Sequence, residues 1–161
     1  MIVVADTSPL NYLLLIRNVE VLPALYGAII IPSAVLDELT APSTPDLVRT
    51  WASTLPKWVH VQDPSAEPRA TPELDEGERQ AIALAQEVDA ELILVDDAAA
   101  RDAALQRGLE VVGTLGVLLA AARLDLLNFE RSLRALDETS FYMSERLRDA
   151  VLSHWRQNRN D

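Results

Sequence analysis

Five acidic residues stand where α/β proteins carry their chemistry, and together they predict a site for a divalent cation. The five are Asp6, Glu38, Glu78, Asp96 and Asp97. Carboxylates that are packed together repel one another, and some take up protons unless a cation neutralises them. Ligand sets made only of oxygen suit Mg²⁺ or Mn²⁺. Such ions activate water and stabilise a phosphoryl centre, so the pattern favours the chemistry of a nuclease.

Three of these acids also have a simpler interpretation. Asp6 could merely cap the helix that follows it. Asp75 and Glu78 have the spacing of a capping box, in which two side chains three residues apart bond each other's backbone. Glu38 could be a solvated acid at the end of a short helix. The functional hypothesis depends on the whole set, because all five acids fall at strand ends or beside helix ends.

The elements that must position these acids alternate between short apolar strands and helices. Ile2–Val4 read as a strand buried on both faces, and Ser8 followed by Pro9 indicates a helix with Ser8 as its N-cap. The predicted strands are 2–4, 28–31, 58–62, 92–95 and 111–112, and the predicted N-caps of later helices are Ser33, Thr44, Asp75 and Thr114. The predicted helices cover about 9–17, 19–26, 33–39, 45–51, 75–88, a segment ending at 108, 114–122, 128–136 and 144–157. Residues 63–73 are predicted to form a surface loop.

Strands that alternate with helices predict a three-layer α/β/α fold with a parallel sheet. Short right-handed crossovers would carry the first three strands outward in one direction. If the fourth strand then pairs with the first, a switch point lies between them, and ligands bind at such points. Asp6 would face Asp96 and Asp97 across that crevice. The positions of the acids make this the economical arrangement.

Composition limits the class of protein. The chain has 161 residues, of which 49% are hydrophobic, enough for one folded domain over 1–161 with a helical extension at 123–161. Cysteine is absent and only two histidines occur, which excludes disulfides and a thiolate zinc site. No apolar run reaches the length of a membrane span, so we expect a cytoplasmic protein without membrane contact.

Charge is distributed unevenly along the chain. The net charge is −11; residues 1–122 hold 18 acids and 7 bases, whereas residues 123–161 hold 7 of each. All the bases of this tail are arginines, which bind phosphate well. We therefore expect four tail arginines to contact a phosphate-bearing ligand or a partner: Arg146, Arg148, Arg156 and Arg159.

Several segments in order along the chain resemble the PIN-domain family, in particular the VapC-like toxin ribonucleases and a PIN subfamily of unknown function. The matching segments are VADTSPL at 4–10, IPS at 31–33 with Val35 and Glu38-Leu39, LDEGE at 74–78 leading into AIALA at 81–85, LVDD at 94–97 with Arg101, and VGTLGVLL at 112–119. Each motif alone is weak, but their order and their spread over most of the chain make the resemblance specific.

The resemblance implies a five-stranded parallel sheet in the order 3-2-1-4-5 and cleavage of single-stranded RNA that depends on Mg²⁺ or Mn²⁺. It also implies a cognate antitoxin that blocks the site, and a homodimer. Asp6, Glu38 and Glu78 match the family's first three acids. The fourth is open: Asp97 fits the usual position, while Asp96 opens the paired-acid motif. A glutamate as third acid departs from the commoner aspartate.

Residues around the acids are candidates for orienting a phosphate or the acids themselves. Thr7, Ser8 and Asn11 lie within one helical turn of Asp6, although they could equally well only cap the helix. Arg101 could contact a phosphate beside the scissile bond, but a simple ion pair with Asp97 or Asp102 is the safer interpretation.

Other enzyme classes fit poorly. A phosphatase of the haloacid-dehalogenase type needs a second aspartate where this chain has Ser8, and a lysine where it has none. The glycines form neither a phosphate loop nor a dinucleotide fingerprint, and no serine-hydrolase elbow is present. The serious alternative is a catalytically inactive PIN-like protein whose acids bind metal and which binds a partner.

Overall fold

The protein forms a parallel sheet of five short strands between two layers of helices. The computed structural model describes residues 1–159. The strands are β1 (Val3–Ala5), β2 (Ile29–Ile31), β3 (Val59–Val61), β4 (Leu92–Leu94) and β5 (Val111–Val112). All pairings are parallel, and the order is β3-β2-β1-β4-β5. The predicted three-layer PIN-like architecture and strand order are confirmed.

Nine helices connect and follow the strands within residues 1–159. They are α1 (Thr7–Leu15), α2 (Val21–Tyr26), α3 (Ser33–Leu39), α4 (Asp46–Ser53), α5 (Glu76–Glu87), α6 (Ala98–Gln106), α7 (Thr114–Arg123), α8 (Phe129–Asp137) and α9 (Glu145–Arg159). Residues 63–73 contain no helix or strand, as predicted for the loop. No helix of the described residues has both the length and the apolar character that crossing a membrane requires.

The sheet separates two apolar cores because alternate residues of a strand point to opposite faces. Val3 and Ala5 of β1 belong to the larger core, which α1, α7 and α8 cover. Val4 belongs to a smaller core, which α5 and α6 cover. The strands are therefore buried on both faces, which explains their continuous apolar runs.

The carboxyl ends of β1 and β4 lie side by side at the centre of the sheet. Ala5 is paired with Leu94, and the Asp6 N–H donates to the Leu94 carbonyl at 2.9 Å. The chain leaves β1 at Asp6 and leaves β4 two residues before Asp96. This pairing is the predicted switch point, and it brings the two acidic segments to one edge of the sheet.

Several helices begin one or two residues away from the predicted caps. Asp6, not Ser8, is the N-cap of α1, because its extended backbone (φ −87°, ψ 174°) turns directly into the helix. Pro9 is tolerated in the first turn, where backbone N–H groups have no partner within the helix. The N-caps predicted at Ser33, Thr44 and Thr114 are also wrong; those of α3, α4 and α7 are Pro32, Pro45 and Gly113.

The C-terminal helices pack onto the larger core to different extents. In α8, Phe129, Leu133 and Leu136 are buried, whereas α9 has no fully buried residue. Trp155 of α9 lies against Phe129 with ring centroids 5.5 Å apart. Two ion pairs, Arg148 with Asp137 and Arg156 with Glu130, also link α9 to α8. Two of the four tail arginines are thus engaged within the chain.

Candidate active site

All nine residues selected from the sequence line one open cleft at the carboxyl end of the central strands. The cleft has a volume of about 1170 Å³. The nine are Asp6, Thr7, Ser8, Asn11, Glu38, Glu78, Asp96, Asp97 and Arg101. They come from four separate stretches of the chain, which the topology brings together.

Asp6 is the most deeply placed of the acids. Its side chain is only 4% exposed, and Oδ1 is buried without a hydrogen-bond partner. Burial holds the pKa of Asp6 well above its ordinary value. The charges of Asp75, Glu78 and Glu38 raise this pKa further, whereas a hydrogen bond with the Thr7 backbone lowers it. An orphaned buried carboxylate oxygen is costly, so Asp6 is a candidate ligand for a cation.

Glu78 lies at the start of α5 and takes part in a capping box. The Glu78 N–H donates to Asp75 Oδ1 at 2.8 Å, and the Asp75 N–H donates to Glu78 Oε1 at 2.9 Å. The capping box that the sequence predicts for Asp75 and Glu78 is therefore present. It does not exclude a second role for Glu78 at the site. Burial raises the pKa of Glu78 to about 7, and the charges of Asp75, Asp97 and Glu38 add to the effect.

Glu38, at the end of α3, is half-buried and lies against the start of α5. A Cβ atom on Gly77 would overlap Glu38 Oε1 and lie 3.4 Å from Asp6 Oδ1. Burial raises the pKa of Glu38, while the nearby Thr7 hydroxyl and the Gly77 N–H lower it. The Thr7 hydroxyl is buried beside Glu38, but it makes no hydrogen bond of regular geometry. Glu38 is therefore not the freely solvated acid of the simpler interpretation.

Asp96 is the centre of a hydrogen-bond network that joins α1 to α7. Its Oδ1 accepts from the Thr114 N–H at 2.7 Å, and its Oδ2 accepts from the Thr114 hydroxyl at 2.7 Å and the Ser8 hydroxyl at 3.0 Å. Thr114 is fully buried. The hydroxyls of Ser8 and Thr114, which the sequence had suggested as helix caps, instead hold this carboxylate.

Asp97 is exposed and caps α6, accepting from the Ala100 N–H at 3.1 Å. Arg101 forms no ion pair with Asp97 or Asp102 in the part of the chain that the structure describes. Its guanidinium instead lies beside Gly113, where a Cβ atom would be 2.6 Å from Arg101 Nη1 and 2.8 Å from Asp96 Oδ1. The predicted ion pair is therefore wrong.

Two residues at the site were not recognised as site residues from the sequence. Asp75 lines the cleft, and its charge raises the pKa values of Asp6, Glu38 and Glu78. Gly77 allows the close approach of Glu38. The capping-box pattern signalled Asp75 only as a helix cap, and nothing local marks Gly77, because its role depends on α3 packing against α5.

The cleft is strongly acidic and offers only oxygen atoms as charged ligands. Seven acids line it, against Arg101 as the one base among its described lining residues; the acids are Asp6, Glu38, Asp75, Glu78, Asp96, Asp97 and Asp102. Within residues 1–159 no three His, Cys, Asp or Glu side chains already form a closed metal-binding group. The unpartnered Asp6 Oδ1 and the repulsion among the carboxylates nevertheless fit a hard divalent cation. The carboxylates would have to move closer together to bind it.

Comparisons with known proteins agree with this fold. A family model described as a PIN domain (DUF3368) matches residues 2–157. A PilT N-terminus domain protein from the hyperthermophilic archaeon Sulfolobus solfataricus P2 has a similar structure, with a TM-score of 0.51 and 17% identity over 89% of this chain and all of that chain. No curated protein matches. PIN domains are typically nucleases and usually use divalent metal ions. Because the family match covers nearly the whole chain, this protein belongs to the PIN-domain family.

Proposed function

We propose that this protein is an endoribonuclease that hydrolyses single-stranded RNA with the help of Mg²⁺ or Mn²⁺. The observation that carries the proposal is the position of Asp6, which is buried within reach of the charges of Glu38 and Glu78 and has one carboxylate oxygen unpartnered. Family membership supports the nuclease class. Metal titration together with an RNA cleavage assay tests the proposal, since a nuclease must show both metal binding and turnover.

Asp6, Glu38 and Glu78 would hold the cation, with Asp97 as the fourth acid. Both oxygens of Asp96 accept hydrogen bonds from Ser8 and Thr114. Asp97 accepts a single hydrogen bond at the start of α6, and its charge raises the pKa of Glu78. We therefore assign Asp96 to positioning and Asp97 to the ligand set. A divalent ion at this site lowers the pKa of water and offsets the charge of a phosphate.

The remaining residues of the cleft serve the substrate and the acids. Glu78, with a pKa of about 7 in the absence of metal, would give up its proton on binding a cation. Arg101, the base among the described residues of the cleft lining, would contact an RNA phosphate. Thr7, Ser8 and Asn11 orient the acids or a phosphate from the first turns of α1.

The biological role is proposed from the resemblance to VapC-like toxins. The protein would act in the cytoplasm as the toxin of a toxin–antitoxin pair, as a homodimer of one-domain chains, with a cognate antitoxin that blocks the cleft. The alternative is a catalytically inactive PIN-like protein that binds metal and a partner. Saturable metal binding without RNA cleavage would favour that alternative.

A further inference from the structure

We propose that three aromatic residues, Tyr12, Phe141 and Tyr142, form a stacking subsite for an unpaired nucleobase beside the acidic cluster. These residues are called the aromatic wall below. The inference rests on the proposed function, which puts a phosphate of the RNA at the acidic cluster. It deepens that function, because it assigns part of the substrate recognition to the bases of a single strand.

The aromatic wall and the carboxylates line the same cleft. Tyr12 lies on α1, less than two turns after Asp6, whereas Phe141 and Tyr142 come from the segment between α8 and α9. The Tyr12 and Phe141 rings meet edge to face, with centroids 5.1 Å apart and an angle of 81°. The Tyr12 hydroxyl and Ser140 Oγ share a hydrogen bond of 2.9 Å. These contacts fix two rings of the wall.

Tyr142 differs from the other two residues because the fold makes little use of it. Its side chain is 84% exposed, although it is a large ring that could be buried elsewhere. Leu147 and Val151 of α9 add apolar side chains to the lining of the same cleft. An exposed ring beside an apolar surface offers a flat face to a ligand with a flat face of its own.

The charge of the cleft is the second argument for base recognition. Proteins that bind nucleic acids usually gain affinity from basic residues along the phosphates. Here seven acids face one arginine among the described lining residues, so phosphates away from the cation are repelled. Stacking on aromatic rings is insensitive to charge and accepts any base. It also requires bases that are free of a duplex, which favours a single strand.

The test compares two oligomers of equal charge that differ only in their bases. One is a 12-nucleotide oligouridylate and the other its abasic counterpart, both labelled with fluorescein. Their dissociation constants are measured by anisotropy with the full chain in Ca²⁺, and gels check that both stay intact. The variants are Tyr142→Ala and Tyr142→Phe, with Leu124→Ala as a control at a residue that is 62% exposed and outside the cleft.

We expect oligouridylate to bind more tightly than the abasic oligomer. Tyr142→Ala should weaken oligouridylate binding roughly 5- to 150-fold and leave the abasic oligomer unaffected, whereas Tyr142→Phe and Leu124→Ala should stay within about twofold of the parent. Equal affinities for the two oligomers, or an unchanged oligouridylate affinity in Tyr142→Ala, would overturn the subsite. The aromatic wall would then be assigned to contact with a protein segment instead of a base. Base-dependent binding without cleavage in Mn²⁺ would support the subsite and refute the nuclease proposal instead.

Discussion

The Glu38 carboxylate lies directly against the backbone of Gly77, so closely that a Cβ atom at position 77 would overlap Glu38 Oε1. Glu38 lies in the last turn of α3, and Gly77 lies in the first turn of α5, next to Glu78. The same Cβ atom would lie 3.4 Å from Asp6 Oδ1. The missing side chain of Gly77 therefore allows the Glu38 carboxylate to lie close to the start of α5 and near Asp6.

Replacing Gly77 by alanine should separate the acids without unfolding the protein. The added methyl group must displace the Glu38 carboxylate, whereas alanine gains about 0.5–1 kcal/mol in helix preference over glycine. We expect RNA cleavage and Mn²⁺ affinity to fall by about 10- to 100-fold, as for loss of a residue that orients a ligand. The melting temperature should change little. Gln86→Ala, at an exposed position of the same helix, is the matched control; equal activity in both variants would contradict the role of Gly77.

The metal-free protein should lose stability as the pH rises. Burial raises the pKa of Glu78 from 4.5 to about 7, and it also raises those of Asp6 and Glu38. A carboxyl group with a higher pKa in the folded state binds more protons when folded, so the free energy of unfolding falls from about pH 4.5 through about pH 7. Melting temperatures measured across this range should decrease, and Glu78→Gln should reduce the decrease.

Divalent cations should reverse that loss. At a concentration of 100 times its dissociation constant, Mn²⁺ stabilises the folded state by about 2.7 kcal/mol, which is a rise in melting temperature of roughly 5–10 °C for a chain of this size. The rise should be larger near pH 8 than near pH 5, because protons compete with the cation. A melting temperature that responds neither to pH nor to Mn²⁺ would show that the acids do not form a cation site.

Asp96 and Asp97 should give different results when each is changed to asparagine. Asp97→Asn keeps an oxygen that can cap α6, so it should lose cleavage and metal affinity at an almost unchanged melting temperature. Asp96→Asn replaces one accepting oxygen by an amide group and so disturbs the bonds from Ser8 and Thr114. A bond to a charged group contributes about 1.5–3 kcal/mol, so the melting temperature should fall by roughly 3–12 °C for each bond lost. The opposite pattern would make Asp96 the metal ligand.

The tail arginines should fall into two groups. Arg148 and Arg156 are paired with Asp137 and Glu130, so their replacement by glutamine should loosen α9 as well as weaken any RNA contact. Changing Arg146 and Arg159 to glutamine should lower RNA affinity without altering metal affinity or melting temperature. An RNA affinity that is unchanged when all four are replaced would exclude the tail from the RNA interface.

The central sheet and most of the acid site were predictable because their signals are local. A short apolar run followed by an acid marks the end of a buried strand at Asp6 and again at Asp96, and parallel strands place those ends at one edge. The helix starts were less accurate. Proline after serine or threonine suggested the N-caps, but the strand leads so directly into α1 that Asp6 takes the cap and Ser8 is free to bond Asp96.

The rest of the cleft depends on tertiary packing and has no local signal. Gly77 reads as an ordinary residue of a helix start, and Tyr142 as a residue of a short connection. Their importance follows from α3 meeting α5 and from the connection to α9 lying beside α1. Asp75 was assigned correctly as a cap, yet its effect on the pKa values of three other acids appears only when α5 is set against β1.

The central claim is tested most directly by cleavage of single-stranded RNA in Mn²⁺ by the parent protein and by Asp6→Asn. We predict cleavage by the parent and none by the variant. Without metal, the variant's melting temperature should stay equal or rise, because the substitution removes a buried carboxyl group whose Oδ1 has no hydrogen-bond partner. Metal binding by the parent without cleavage would contradict the nuclease proposal. A variant that loses its fold together with its activity would show that Asp6 is structural.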